Sequence, residues 1–236
     1  MTSRPAKKAE REIVRRSLRT PRSAAVAGIA FSVLFTTALV LIHWAVPSNP
    51  NDVGEWLSDS TRRGAVRLAL GLVPFAGIAF LWFIAVVRDR IGDSEDRFFA
   101  TVFLGSGLLF IAMLFAAAAA AAGLIESAGE EGVSLVNSDA WRTGRHMTSQ
   151  LLTVYSMRMA AVFTIATSTI LHRTATGPRW LAAAGYAIAV VLLVTSGSLA
   201  WVELLFPTWV LAVSLHILLA NPRRDRADSQ DATLTK

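Results

Sequence analysis

Between Ala24 and Ala220 the chain is a succession of apolar runs, six in number, parted by short polar segments. About 20 apolar residues cross the ~30 Å hydrocarbon core of a bilayer. A backbone in lipid must satisfy its own hydrogen bonds, so runs of this length dictate helices. The expected spans are residues 24–46, 65–87, 98–125, 147–171, 180–199 and 202–220. The last two share one tract from Trp180 to Ala220 that is too long for a single crossing. The Thr195–Ser198 stretch, "TSGS", is where it is expected to turn back, because Ser and Gly favour turns. The reading is therefore all-α: an integral membrane bundle of six transmembrane helices over 24–220. A basic tail (1–23) precedes it and a polar, aperiodic tail (221–236) follows.

Composition agrees with a membrane protein. Only 17% of residues are charged, against roughly 25% in an ordinary soluble domain. There is no cysteine, which excludes disulfides, thiolate metal sites and thiol catalysis. The net charge of +6 does not point to nucleic acid, because the basic residues sit in short segments between spans. Eight lie in the N-terminal tail, three in the segment 88–97, two in 172–179 and four in the C-terminal tail. These alternate segments hold seventeen, and the intervening ones hold four: Arg62, Arg63, Arg142 and Arg145. The positive-inside rule then places both termini in the cytoplasm. Anionic lipid headgroups at that face are the expected counter-charge. The basic tail either lies on the inner leaflet or stays solvated and only sets orientation. Trp44, Trp82, Trp180 and Trp201 fall near span ends, as in an aromatic belt.

An ionisable residue inside a span costs ~2.5–3.5 kcal/mol on insertion scales and marks a candidate site. Arg158, in "TVYSMRMAAVFTIATSTIL", is the clearest. It is expected to face the bundle. Glu203 is the nearest acidic candidate, and Tyr155, at i−3, adds a hydroxyl. Two readings stay open: a buried pair that fixes helix packing, or a polar cavity admitting an anion, a lipid headgroup or a substrate. His216 and His43 are further intramembrane polar groups. Neither has a carboxylate at i+3 or i+4, so no metal site is expected and each is read as bonded between helices. Pro74, flanked by Gly71 and Gly77, and Pro207 can interrupt helices. Gly105, Gly107 and the alanines 116–122 give the third span a small-residue face, expected at the bundle centre or a dimer seam. In the segment 88–97, "DSE" (93–95) is an expected helix cap. No H-E-x-x-H, G-x-S-x-G or P-loop motif occurs, so no enzyme, cofactor or catalytic residue is expected.

The segment "TGPRWLAAAGYAIAVVLLVTSGSLAWVELLFPTWVLAVSLHILL" resembles the bacterial membrane family DUF4386, in which a Pro-Arg-Trp-like start to the fifth helix precedes a closing hairpin with a proline. The resemblance implies a multi-pass membrane fold and brings no catalytic residues. The Ala- and Arg-rich composition resembles that of high-GC bacteria, so a bacterial cytoplasmic membrane is expected. Membrane lipids, a second copy or a partner membrane subunit are the expected contacts. The expected function is a binding, accessory or lipid-contacting module, with a small transporter or channel as the alternative.

Overall fold

The structure, a computed structural model, describes residues 21–47, 55–91, 97–131, 138–173, 178–195 and 201–220. The N-terminal tail up to residue 20, the "DSE" cap, most of the "TSGS" turn and the C-terminal tail lie outside them. Among the described residues every regular element is helical: α1 (Pro21–Ala45), a 3-10 turn (Glu55–Ser58), α2 (Ser60–Ile91), α3 (Arg97–Glu131), α4 (Asp139–Ser149), a π-helical stretch (Gln150–Ser156), α5 (Met157–Arg173), α6 (Arg179–Val194), a second 3-10 turn (Val202–Leu204) and α7 (Leu205–Ala220). Since α4, the π stretch and α5 run on without a break, the elements make six rods.

Five rods are long and apolar enough to cross a membrane: Ser23–Ala45, Ser60–Arg88, Ala100–Ala128, Asp139–Arg173 and Val202–Leu219. The sixth, Arg179–Val194, is apolar but has 16 residues. At 1.5 Å per residue that is about 24 Å, short of the ~30 Å of hydrocarbon. The helix stops at Thr195, whose N–H still bonds to the Val191 carbonyl at 2.9 Å.

Facing residues show that each of the first four rods runs antiparallel to the one before it. Phe31 of α1 lies against Phe80 of α2, and the end of α1 meets the start of α2. Gly77 and Gly107 place α2 and α3 in opposite directions, touching Phe115 and Ile84. Gly144 packs on Leu124, and Phe163 on Phe103, which reverses the fourth rod against α3. Gly28, near the start of α1, packs on Ser214, near the end of α7. Any Cβ at Gly28 would collide with Ser214 and Phe83, so the close approach of α1, α2 and α7 requires glycine there.

The core is a cluster of phenylalanines from five rods. Phe80 is its hub, with ring centroids of Phe31, Phe163, Phe110, Phe206 and Phe83 at 4.6, 5.0, 5.2, 5.7 and 6.1 Å. Hydroxyls buried beside it bond back along their own helices. Ser32 donates to Gly28, Thr164 to Ala160 and Thr167 to Phe163, all at 2.8 Å. These bonds let polar side chains enter the apolar interior without leaving an orphaned group.

Of the two placements expected for the third span, the bundle centre is not the one observed: 28% of its apolar window is buried, against 61% for the fourth rod. Pro74 does not break α2, which is continuous over 32 residues. Pro207 sits in the first turn of α7, where its missing N–H leaves no bond unmade.

Candidate ligand pocket

A cavity of about 360 Å³ opens at the end of the bundle where α1 finishes and α2 begins. Most of its wall is apolar, from Leu39, Val66, Leu70, Leu114 and Ile125. Ala117, Ala118 and Ala121 of α3 also line it. The alanine run therefore leaves room for a cavity, where close helix approach was the expected use of small residues. Phe35 closes the inner end, with its ring 5.4 Å from Phe31 and 5.8 Å from Phe110. Beyond it the phenylalanine cluster fills the bundle.

Each polar side chain at the cavity is placed by a local device. Asp59 caps α2, accepting from the Thr61 N–H at 2.8 Å. The 3-10 turn before it tucks Trp56 inward, 7% exposed. Ser138 caps α4 by accepting from the Trp141 N–H at 3.2 Å, and this turn buries Trp141 to 4% exposure. Arg145, one turn on, donates to the Pro47 carbonyl at 3.4 Å and ties α4 to the end of α1. The π stretch widens the helix next, and its Leu152 and Thr153 reach the cavity wall. π-helical turns are rare and are found at functional sites.

Opposite stands a pair formed between α1 and the turn before α7. The His43 Nδ1–H donates to the Leu39 carbonyl at 3.0 Å. That bond fixes Nε2 toward Glu203, whose Oε2 lies 3.4 Å away. The distance suits an ion pair when the imidazole is protonated, and Oε2 has no hydrogen-bond partner among the described residues. Trp201 stacks on the imidazole with centroids 4.6 Å apart. It is the one non-glycine residue at positive φ (73°) among those described. Such a backbone costs about 1–3 kcal/mol and persists where its surroundings hold it.

Of the four residues expected to share a polar cavity, the structure brings only Glu203 to it. Glu203 pairs with His43, not with Arg158. Arg158 and Tyr155 are exposed on the outside of the bundle. The buried arc of α5 explains this: Met157, Ala160, Ala161, Thr164 and Thr167 repeat at helical spacing, and Arg158 falls off that arc. Turning Arg158 inward would turn this whole face outward. His216, half-buried on α7, lies toward the opposite end and does not line the cavity. His43 was expected to hydrogen-bond between helices; its hydrogen bond runs within α1, to the Leu39 carbonyl, and its contact across the bundle is the one with Glu203.

Sequence reasoning missed Trp56, Trp141, Arg145 and Thr148 as site residues. The available signal was two tryptophans within polar segments, "GEWLSDS" and "SDAWRTG", on the same expected side of the membrane. No group of three or more His, Asp or Glu suited to a metal ion occurs among the described residues. Comparison with known proteins adds no name to this geometry: no family model, no curated protein and no solved structure matches the chain.

Proposed function

We propose that this protein is a membrane-embedded binding protein, whose pocket receives a small, largely apolar ligand from one face of the membrane. The observation that carries the reading is that the cavity ends on a packed layer of phenylalanines. A channel or transporter needs a second access, and the Phe31–Phe80–Phe110–Phe206 cluster occupies that path. The pocket's volume falls in the range of small-molecule sites, about 300–1,000 Å³, and its mostly apolar wall with a few polar groups is typical of them.

In this proposal the chain crosses a bacterial cytoplasmic membrane six times, with α6 as a short crossing aided by Trp180 at its start. The basic segments place both termini inside, so the pocket opens to the outer face. Anionic lipids at the inner face, and a second copy or a partner subunit, remain the proposed contacts, and DUF4386 the proposed family.

Because the chain has no cysteine, thiol accessibility tests the pocket directly. Ala121→Cys lines the cavity, whereas Val210→Cys lies one turn beyond Phe206 and is fully buried. A small methanethiosulfonate reagent should modify the first quickly and the second no faster than in a packed core. Rapid modification of both would establish a continuous path and favour transport.

A further inference from the structure

We infer that the pocket fills from the side: its entrance is a window in the flank of the bundle's outer half, and its occupant is one acyl chain of an outer-leaflet lipid. The inference rests on the binding reading above and names the ligand class.

The window follows from unequal rods. The rings of Phe31, Phe80, Phe110, Phe163 and Phe206 meet and mark one level of the bundle. Beyond that level α1, α2 and α3 run on for about 21–23 Å, to Ala45, Val66 and Ile125. These three residues pack with Trp56, Leu57 and Trp141 into a buried collar that roofs the cavity. The fourth rod reaches the collar through Trp141. By contrast, α6 and α7 fall short. Val202, which opens the turn before α7, lies about 7 Å beyond Phe206. Gly185 of α6 sits against Ser168 and Trp209, on the far side of the rings, and the helix ends at Val194, about 14 Å later. It ends toward the pocket, because Trp201, a few residues on, stacks on His43. Both rods therefore stop within about 10 Å of the rings.

Lower down, α6 packs on α5 and α7 packs on α1, and this pair fills the side between α1 and the fourth rod. Higher up, the cavity is walled by α1, α2, α3 and the fourth rod, with Glu203 at its base. The side that α6 and α7 fill below is thus left open above. The Arg145–Pro47 bond bridges the gap at the top, and the Trp201–His43 stack forms its sill. Ile42 stands on one edge and Ser149 and Thr153 on the other. This opening lies within the crossing part of α1, which exposes Val40 and Trp44 in the same stretch. At that depth an opening faces acyl chains, not water. The polar groups stand at the frame, while the interior is apolar down to Phe35. A chain therefore enters and its polar head stays at the frame. Bilayer and pocket are both hydrocarbon, so entry gains no hydrophobic transfer. Occupancy comes from the abundance of lipid at the window, by mass action, and the volume of about 360 Å³ sets the size of the chain that fits.

The test places the intact protein in phosphatidylcholine vesicles with one of two photoactivated probes: a phosphatidylcholine carrying a diazirine in its acyl chain, or a small aryl diazirine added from water. Adducts are mapped by mass spectrometry at four positions. Leu70 and Ala117 line the cavity, Phe75 is exposed on the outside of α2, and Val210 is fully buried beneath the phenylalanine layer. The lipid probe should mark Leu70 and Ala117 as well as Phe75, and leave Val210 unmarked. Ser149→Trp sets an indole in the opening; it should reduce lipid labelling of Leu70 and Ala117 to the level of Val210 and leave Phe75 unchanged. Thr153→Trp is a second plug should the first impair folding, and the unsubstituted protein decides lipid entry by itself. Marking of Leu70 and Ala117 by the small diazirine but not by the lipid would overturn the acyl-chain inference and leave the binding reading standing. Lipid labelling of the cavity wall that survives a plug in the folded protein would overturn the window. Failure of both probes to mark the wall would overturn the binding reading itself.

Discussion

Replacing Phe80 with alanine tests the layer that closes the pocket. Phe80 is fully buried and has five aromatic rings with centroids between 4.6 and 6.1 Å. In water-soluble cores Phe→Ala costs about 3–5 kcal/mol, of which part is transfer from water. In a bilayer the unfolded ring still rests among apolar chains, so that part largely drops out. What is lost is packing and the cavity left behind. Aromatic pairs are worth about 0.5–1.5 kcal/mol each, and five of them set a non-additive ceiling. The expected loss is therefore about 2–4 kcal/mol. Phe80→Leu, which keeps part of the volume, should lose about 1–2 kcal/mol. Phe75→Ala, on the same helix but 63% exposed, should stay within about 0.5 kcal/mol. The assay is reversible unfolding in mixed micelles by titration with dodecyl sulfate, followed by circular dichroism. In the Phe80→Ala background, Val210→Cys should also become reactive, since the floor of the pocket is breached. Equal losses for Phe80→Ala and Phe75→Ala would refute the idea that this layer holds the rods together.

Further outcomes follow from single contacts. His43→Leu and Glu203→Leu should each destabilise the bundle, and the double variant should recover much of the loss. Breaking a buried pair from one side costs about 3–5 kcal/mol, whereas replacing both partners is often neutral; additive losses in the double-mutant cycle would show that the pair at 3.4 Å has no energetic weight. Gly28→Ala should destabilise, because its Cβ meets Ser214 and Phe83, while Gly71→Ala, with open space around it, should gain up to about 1 kcal/mol of helix propensity; the same unfolding titration separates them. Reporter fusions at Asp93 and at the C-terminus should read cytoplasmic and one at Asn137 external; an external C-terminus would mean that 180–220 does not form two crossings.

The helical class and the number of rods were legible in the chain, because lipid leaves a backbone few choices and apolar length does the counting. The positions of α1, α2 and α7 followed from this within a few residues. Which polar groups meet was not legible. Glu203 is the nearest acidic candidate for Arg158, but the rule that a charge in a span must be compensated names no partner. The partner, His43, lies far away in sequence, and only the packing of α1 beside α7 brings it within 3.4 Å. Arg158 was expected inside on energetic grounds. Yet a helix presents one face to its neighbours, and the face of α5 with Met157, Ala160 and Phe163 buries more than one arginine could. The cavity too was beyond a one-dimensional reading. Alanines 117, 118 and 121 permit either close packing or an empty space, and the choice depends on what stands opposite. Opposite them stand α1 and α2, whose own side chains stop short of filling the gap, and two indoles from separate polar turns close over it. Local sequence determined the rods and their caps, while the meeting of side chains from distant rods, set by close packing of the whole bundle, decided where a ligand has room.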